Sequence, residues 1–150
     1  LVVSTQNSWS LAEPAPYAPH ILGEALPGVD NSNRRVLYQV SRYDTEVPNV
    51  ASDIAARTMG IGTFDSSVYE PWNVEIITED TADSAYIIFH LDDVEPLPMG
   101  TIDVMGDNNA HGDLRHQSVV IDQIDQFSRP DGVVVDTCPD NSCLLDNERR

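Results

Sequence analysis

The stretch Tyr86-Ile87-Ile88-Phe89-His90-Leu91 carries the clearest fold signal in this sequence. A short apolar run rich in β-branched and aromatic residues is typical of a strand that is covered on both faces. Polar residues 79–83 precede the run and predict a turn there. We therefore expect residues 86–91 to form the central strand of a β-sheet.

Upstream of this run, the pattern predicts one strand followed by one helix. Residues 36–40, Val-Leu-Tyr-Gln-Val, are β-branched and aromatic, which favours a strand. Asp44 then offers a helix N-cap, and apolar residues recur at helical spacing to Met59. Gly60 breaks the pattern. The main helix is expected at about 48–59.

Four shorter segments complete the expected secondary structure. Weaker strand patterns occur at residues 73–78, 101–105, 118–121 and 133–135. The element order is thus strand, helix and several strands. It predicts an α+β fold in which one main helix covers a mixed β-sheet.

A chain of 150 residues is long enough for one sizeable core and hardly for two. Residues 1–33 contain four prolines and predict an extended arm, residues 34–136 a single domain, and residues 137–150 a polar tail. The opening residues 1–5, Leu-Val-Val-Ser-Thr, are suited to pair as an edge strand, either on their own sheet or on a neighbour's.

The charge balance narrows the classes of partner. The chain has 25 acidic and 8 basic residues, and its net charge is -17. All the basic residues are arginines. Nucleic-acid binding needs clustered basic residues and is disfavoured. Three interpretations of the acidity stay open: a surface kept for solubility, a surface adapted to concentrated salt, and carboxylates that converge on calcium. Cations are the expected partners.

Several features favour an exported protein. No apolar run approaches the roughly 20 residues that cross a bilayer. The sequence opens on Leu1, which we interpret as removal of a leader or as the start of a piece of a longer protein. Cys138 and Cys143 lie in a polar loop and are expected to form a small disulfide, as in an oxidising extracellular or cell-surface setting.

The segment 103–116 is the densest cluster of potential metal ligands. Calcium takes about six to eight oxygen ligands, and a glycine-containing loop rich in Asp and Asn suits it. Zinc is less favoured, because a five-residue step does not put two histidines on one helix face. The alternative is that Asp and Asn satisfy turn backbone. The candidate ligands are Asp103, Asp107, Asn109, His111, Asp113 and His116.

Motifs for catalysis are missing from the sequence. It contains neither a GxSxG nucleophile elbow nor a phosphate-binding GxxxxGK[ST] loop. Adjacent carboxylates carry little information in so acidic a chain. His90 is expected to be half-buried and bonded to a backbone group. The sequence favours a chain without enzymatic activity.

One family resemblance covers residues 34–121. The strand at 36–40, the helix, the junction at 69–80 (Tyr-Glu-Pro-Trp-Asn-Val-Glu-Ile-Ile-Thr-Glu-Asp) and the strand at 84–89 together resemble the N-terminal lobe of secreted bacterial metzincin-like zinc peptidases. Such peptidases hold zinc on a helix bearing HExxHxxGxxH, which this sequence lacks. The resemblance implies an exported peptidase-like domain without catalytic competence.

Two other hypotheses come from different classes of protein. The first is an extracellular structural or assembly subunit, of a filament, coat or adhesion structure, whose N-terminal arm adds a strand to a neighbouring copy or another extracellular protein. The second is a binding module stabilised by calcium.

Overall fold

A computed structural model describes residues 16–97 and 106–149 of the chain. In it, Ala85–Leu91 forms a strand, β5, whose side chains from Ala85 to Phe89 are fully buried. Burial on both faces explains why the strand shows no alternation of polar and apolar residues. The prediction of a central, doubly covered strand is confirmed.

The main sheet is parallel and is built around β5. Strand β1 (Leu37–Ser41) pairs with the first five residues of β5, from Leu37 opposite Ala85 to Ser41 opposite Phe89. On the other side of β5, β2 (Gly62–Phe64) pairs with its beginning and β7 (Leu144–Leu145) with its end. Strand β3 (Ile76–Ile77) lies beyond β2.

A second, antiparallel pair joins β4 (Thr81–Ala82) to β6 (Val134–Val135). The chain therefore has both helices and a mixture of parallel and antiparallel strands, and the α+β class is confirmed. The expected strands at 73–78 and 133–135 are present only as the two-residue strands β3 and β6. The expected strand at 101–105 lies outside the described residues, as do residues 1–5.

Helix α2 (Asn49–Met59) confirms the predicted main helix, but the predicted cap is wrong. Pro48 precedes the helix, and no side chain caps it. Asp44 instead accepts the N–H groups of Glu46 and Val47, at 2.7 and 3.0 Å. It closes a turn between β1 and the helix, since Asx side chains satisfy turns as well as helix ends.

Residues 118–121, expected as a strand, begin a second long helix, α4 (Ser118–Phe127). Val120 and Gln123 are buried, whereas Ile121 and Ile124 are about half exposed, and this is helical rather than alternating spacing. A short apolar run does not distinguish a strand from a helix by its periodicity. Residues 118–121 alone therefore did not identify this element as a helix.

Side chains of β5 divide the interior into two clusters, one on each side of the sheet. Ile87, Phe89 and Leu91 pack with residues that include Leu114 of α3 (Ala110–Leu114) and Val120 of α4. Tyr86 and Ile88 pack with residues that include Ala56 of α2. Each large apolar side chain buried in this way contributes about 1.5–3 kcal/mol. The sheet thus lies between two helical layers.

One buried polar cluster ties α2 to the sheet. The hydroxyls of Tyr69 and Tyr86 each donate to Oδ1 of Asp53, both at 2.8 Å. Burial, with the Asp53 carboxylate, raises the pKa of both tyrosines well above the ordinary value. Both hydroxyls therefore remain donors above the ordinary tyrosine pKa of about 10.

The two terminal segments contact the domain where they are described. Within residues 16–33, a short helix α1 (Pro19–Leu22) packs on α2, with Leu22 against the cluster around Ala56. In the tail, the expected Cys138–Cys143 disulfide is confirmed. The tail also supplies β7, so backbone hydrogen bonds hold it to the sheet, whereas the disulfide closes a loop within the tail.

Candidate functional site

A cavity of about 330 Å³ lies along β1, between α2 on one face of the sheet and α3 and α4 on the other. Residues 38–41, four successive residues of β1, line it. Half of the eight other lining residues are apolar: Val47, Leu114, Val120 and Ile124. We call this cavity the β1 groove.

The groove runs beside the edge of β1 that faces away from β5. Val36 C=O accepts from Ala85 N–H, and Arg42 N–H donates to Phe89 C=O, so the even-numbered residues face β5. By strand alternation, the backbone groups of Gln39 and Ser41 point the other way. The Ser41 carbonyl accepts from Asn49 Nδ2 at 2.8 Å. Among residues 16–97 and 106–149, no strand pairs with this edge.

A histidine–aspartate pair lies at the carboxyl end of β1. Asp44 is buried, and its Oδ2 lies 2.8 Å from Nδ1 of His111, on α3. Its Oδ1 is occupied by the N–H groups of Glu46 and Val47. A carboxylate only accepts, so Nδ1 carries the hydrogen and Nε2 is left as an acceptor or a site of protonation.

This geometry orients the imidazole of His111. In the described part of the chain, Nε2 makes no hydrogen bond, and 37% of the side chain is exposed. A histidine held by a buried carboxylate at Nδ1 can anchor a ligand group or transfer a proton at Nε2. Both His111 and Asp44 line the groove.

Two further polar side chains line the groove. The hydroxyl of Ser52, on α2, is buried and has no hydrogen-bond partner among the described residues. A buried hydroxyl without a partner is costly, and a ligand or water in the groove would relieve that cost. Arg115 follows α3 and is exposed. The groove therefore combines apolar walls with a few donors, as ligand sites generally do.

Sequence reasoning found His111 but not its partner. Asp44 and His111 are 67 residues apart, and Asp44 was interpreted as a helix cap. Asn108 brings them together: its Nδ2 donates to the Tyr43 carbonyl at 2.7 Å, and its Oδ1 accepts from the Thr45 hydroxyl at 3.1 Å. No spacing rule in the sequence signals this contact.

The predicted metal ligands of segment 103–116 have separate partners. Asp103 lies outside the described residues. Asp107 accepts the Asn109 N–H at 2.8 Å, and Asn109, with φ of 60°, precedes α3. Both residues are exposed and behave as turn residues, which was the alternative interpretation.

The other three predicted ligands, His111, Asp113 and His116, also lie in separate surroundings. His111 contacts Asp44, whereas Asp113 accepts from Asn147 Nδ2 at 3.2 Å and pairs with Arg149 at 3.3 Å. His116 is exposed. None of these side chains belongs to a group of three or more His, Cys, Asp or Glu ligands in the part of the chain that is described. Calcium or zinc binding by this segment stays a prediction.

One group of potential metal ligands does occur, in the C-terminal loop. Ligand atoms of Asp136, Cys138 and Cys143 lie within 4.8 Å of one another. The two sulfurs are joined as a disulfide, and Asp136 Oδ1 accepts the Cys138 N–H at 3.0 Å. A disulfide sulfur is a poor ligand compared with a thiolate, so only the reduced form of this loop offers good sulfur ligands.

Comparisons of the chain with protein families, with curated proteins and with solved structures gave no significant match. The resemblance to the N-terminal lobe of metzincin-like peptidases therefore rests on the sequence alone and stays a prediction. Among the described residues, no helix is both long enough and apolar enough to cross a membrane.

Proposed function

We propose that this chain is an exported assembly domain whose β1 groove receives an extended strand from a second copy. The observation that carries the proposal is the edge of β1, which lines an apolar groove over residues 38–41 and is paired with no strand of the described chain. A peptide that adds to a sheet edge gains backbone hydrogen bonds from the edge and side-chain contacts from the flanking pockets.

The segment that fits this role is the N-terminal arm. Its first five residues, Leu-Val-Val-Ser-Thr, are apolar and β-branched, as strand-forming segments are. Residues 1–15 precede the described chain and, when extended, span up to roughly 50 Å. Such an arm is long enough to reach a neighbouring molecule.

Apolar side chains at the rim of the groove support an occupant that is itself apolar. Val47 is 39% exposed on one side and Ile124 42% exposed on the other. Ile121, three residues before Ile124 on α4, is 48% exposed. Contiguous exposed apolar residues often mark interaction surfaces, and an inserted strand would cover these.

Deletion of residues 1–15 tests the proposal. We expect the full chain to associate with increasing concentration in sedimentation experiments and the shortened chain to stay monomeric with an unchanged circular dichroism spectrum. A synthetic peptide of residues 1–8 should then bind the shortened chain. In the full chain, Val3→Pro should weaken association, because proline removes a backbone donor, whereas Ser10→Pro is the matched control.

Three results would overturn this assignment. The shortened chain could associate as well as the full one, or the peptide could fail to bind it. A full chain that is monomeric, with a groove that accepts the peptide only after deletion, would mean that the arm occupies its own groove instead of a neighbour's.

Kinship with metzincin-like peptidases is a separate proposal about ancestry. The strand–helix–strand–strand start that the resemblance implies corresponds to β1, α2, β3 and β5, but the short strands β2 and β4 lie between these elements in the chain. The quoted junction, however, contributes only the two-residue strand β3, and Asn73 within it has φ of 57°. The sequence of the full precursor tests this proposal, since an HExxH helix encoded after Arg150 would support it and an unrelated continuation would contradict it.

A further inference from the structure

The C-terminal loop between β6 and β7 holds three potential metal ligands on backbone that is fixed independently of the disulfide. Asp136 follows β6, and its N–H donates to the Asp80 carbonyl at 2.9 Å. Cys143 precedes β7; its N–H donates to the Ser66 carbonyl, and its carbonyl accepts from the His90 N–H, both at 2.9 Å. None of these three hydrogen bonds involves a sulfur atom.

We propose that reduction of the Cys138–Cys143 disulfide creates a zinc-type metal site formed by Asp136, Cys138 and Cys143. Two thiols of a reductant convert the disulfide into two thiols and become a disulfide themselves; a phosphine does the same with one water molecule, which supplies the two protons, and becomes the phosphine oxide. A divalent ion then displaces the two thiol protons and binds both thiolates and one carboxylate oxygen. Disulfide and metal exclude each other, because the same sulfur atoms take part in both.

The chemistry of the three ligands selects the type of ion. Thiolates with one carboxylate suit zinc, which is usually four-coordinate and takes water where the protein supplies three ligands. With a Zn–S bond of about 2.3 Å, tetrahedral geometry separates the sulfurs by roughly 3.8 Å. The Cα atoms of the two cysteines are 4.8 Å apart, so rotation of their side chains is enough to provide this separation.

The surroundings of Cys143 also favour a bound cation. The residue is fully buried, and a buried thiolate is unfavourable unless a positive charge lies beside it. The Ser66 hydroxyl is 3.5 Å from Cys143 Sγ and is placed to donate to a metal-bound thiolate. The metal would replace the disulfide as the cross-link of this loop.

Metal uptake by the full chain tests the proposal, with Co²⁺ and Zn²⁺ as the probes. After reduction with a phosphine under nitrogen, we expect one ion per chain and the sulfur-to-cobalt charge-transfer absorption of thiolate ligation. The oxidised chain should bind neither ion at the same concentrations. Competition with a chromophoric chelator measures the affinity.

Two variants separate this site from the acidic surface. Asp136→Asn should weaken Zn²⁺ binding by the reduced chain at least tenfold, since even the loss of an outer hydrogen-bond partner costs about 10–100-fold. Asp140→Asn, in the same loop but outside the ligand group, is the matched control. Cys138→Ser should abolish the charge-transfer band.

Equal binding by the oxidised chain, or equal effects of Asp136→Asn and Asp140→Asn, would overturn the proposal. Circular dichroism of the reduced chain before metal is added shows whether the fold survives. A chain that takes up no metal after reduction, folded or unfolded, contradicts it as well.

Discussion

Two polar side chains, the buried Asp44 and the half-buried His90, differ in how far their hydrogen-bonding groups are satisfied. The Asp44 carboxylate accepts from two backbone N–H groups and contacts His111. His90 was expected to bond to a backbone group, but its buried Nδ1 has no partner among the described residues. Its ring lies edge-on to Tyr43 with 5.4 Å between centroids. The half-buried position is confirmed, and the backbone bond is not found.

The His90 imidazole makes stability depend on pH. Burial, and then the nearby Arg42, lower the pKa of His90 below its usual value of 6.5. Below about pH 6.5 the unfolded chain therefore binds a proton more readily than the folded chain, and stability falls as the pH decreases. We expect His90→Phe to reduce this loss while leaving the fold intact. Urea unfolding of both proteins at pH 5 and pH 8 measures it.

His116→Gln is the control for the His90 experiment, because His116 is exposed. The control should keep the pH dependence of the original chain. The free energy of unfolding could change by the same amount between pH 5 and pH 8 in the original chain and in both variants. That result would rule out a role for His90.

At the level of elements, a long-range contact stabilises helix α4, whose first residues the local pattern predicted as a strand. The Glu148 carboxylate accepts the Ser118 N–H, at 3.1 and 3.2 Å to its two oxygens, and the Ser118 hydroxyl at 2.5 Å. An acceptor and a negative charge at a helix N-terminus stabilise the helix. This contact comes from the tail, 30 residues away, and the local pattern at 118–121 contains no trace of it.

The turn that follows α4 requires a glycine. A Cβ atom on Gly132 would collide with the Gln126 carbonyl oxygen and lie 2.7 Å from that of Phe127. Gly132→Ala should therefore lower the free energy of unfolding by about 1–3 kcal/mol, as overpacking typically does. Gly112→Ala, within α3 and with no atom within 4 Å of the added Cβ, should raise it by about 0.5–1 kcal/mol.

Denaturant unfolding of the two alanine variants checks the pair. A tolerated Gly132→Ala would mean that the turn shifts freely. If Gly112→Ala lowers the free energy of unfolding, something other than the space around the added Cβ constrains α3.

At the scale of the whole molecule, few of the carboxylates in the described part of the chain are paired with an arginine. The arginine ion pairs of the described residues are Arg129–Asp125 and Arg149–Asp113. Three other arginines lie over aromatic rings instead: Arg35 over Phe127, Arg42 over Tyr43 and Arg57 over Trp72. With a net charge of -17, most carboxylate repulsion is left to solvent ions.

Salt should consequently stabilise the fold. Raising NaCl from 0.01 to 1 M shortens the screening length from about 30 to about 3 Å, and we expect the urea midpoint to rise across that range. Calcium at equal ionic strength separates general screening from a specific site. An additional rise with calcium would support the predicted calcium site, whereas a midpoint that falls with salt would contradict the repulsion argument.

The sequence by itself determined the elements that depend on local pattern. Residues 86–91 form a continuous apolar run, and residues 48–59 have apolar side chains at helical spacing. The bounds of β5 and α2 were therefore predicted within one or two residues. The disulfide was also predictable, because only two cysteines are present and four residues separate them. The short strand β2 was not predicted. It contains Gly62, where an added Cβ would lie 2.8 Å from Cγ1 of Ile77, and local pattern carries no sign of this packing.

Only the tertiary structure decided which polar residues meet. Asp44 and His111 were each visible in the sequence, but their contact depends on α3 lying beside the end of β1. The expected ligands of segment 103–116 point to different partners for the same reason. Side-chain direction and the approach of distant elements are set by packing, whereas local periodicity specifies only which face of an element is apolar.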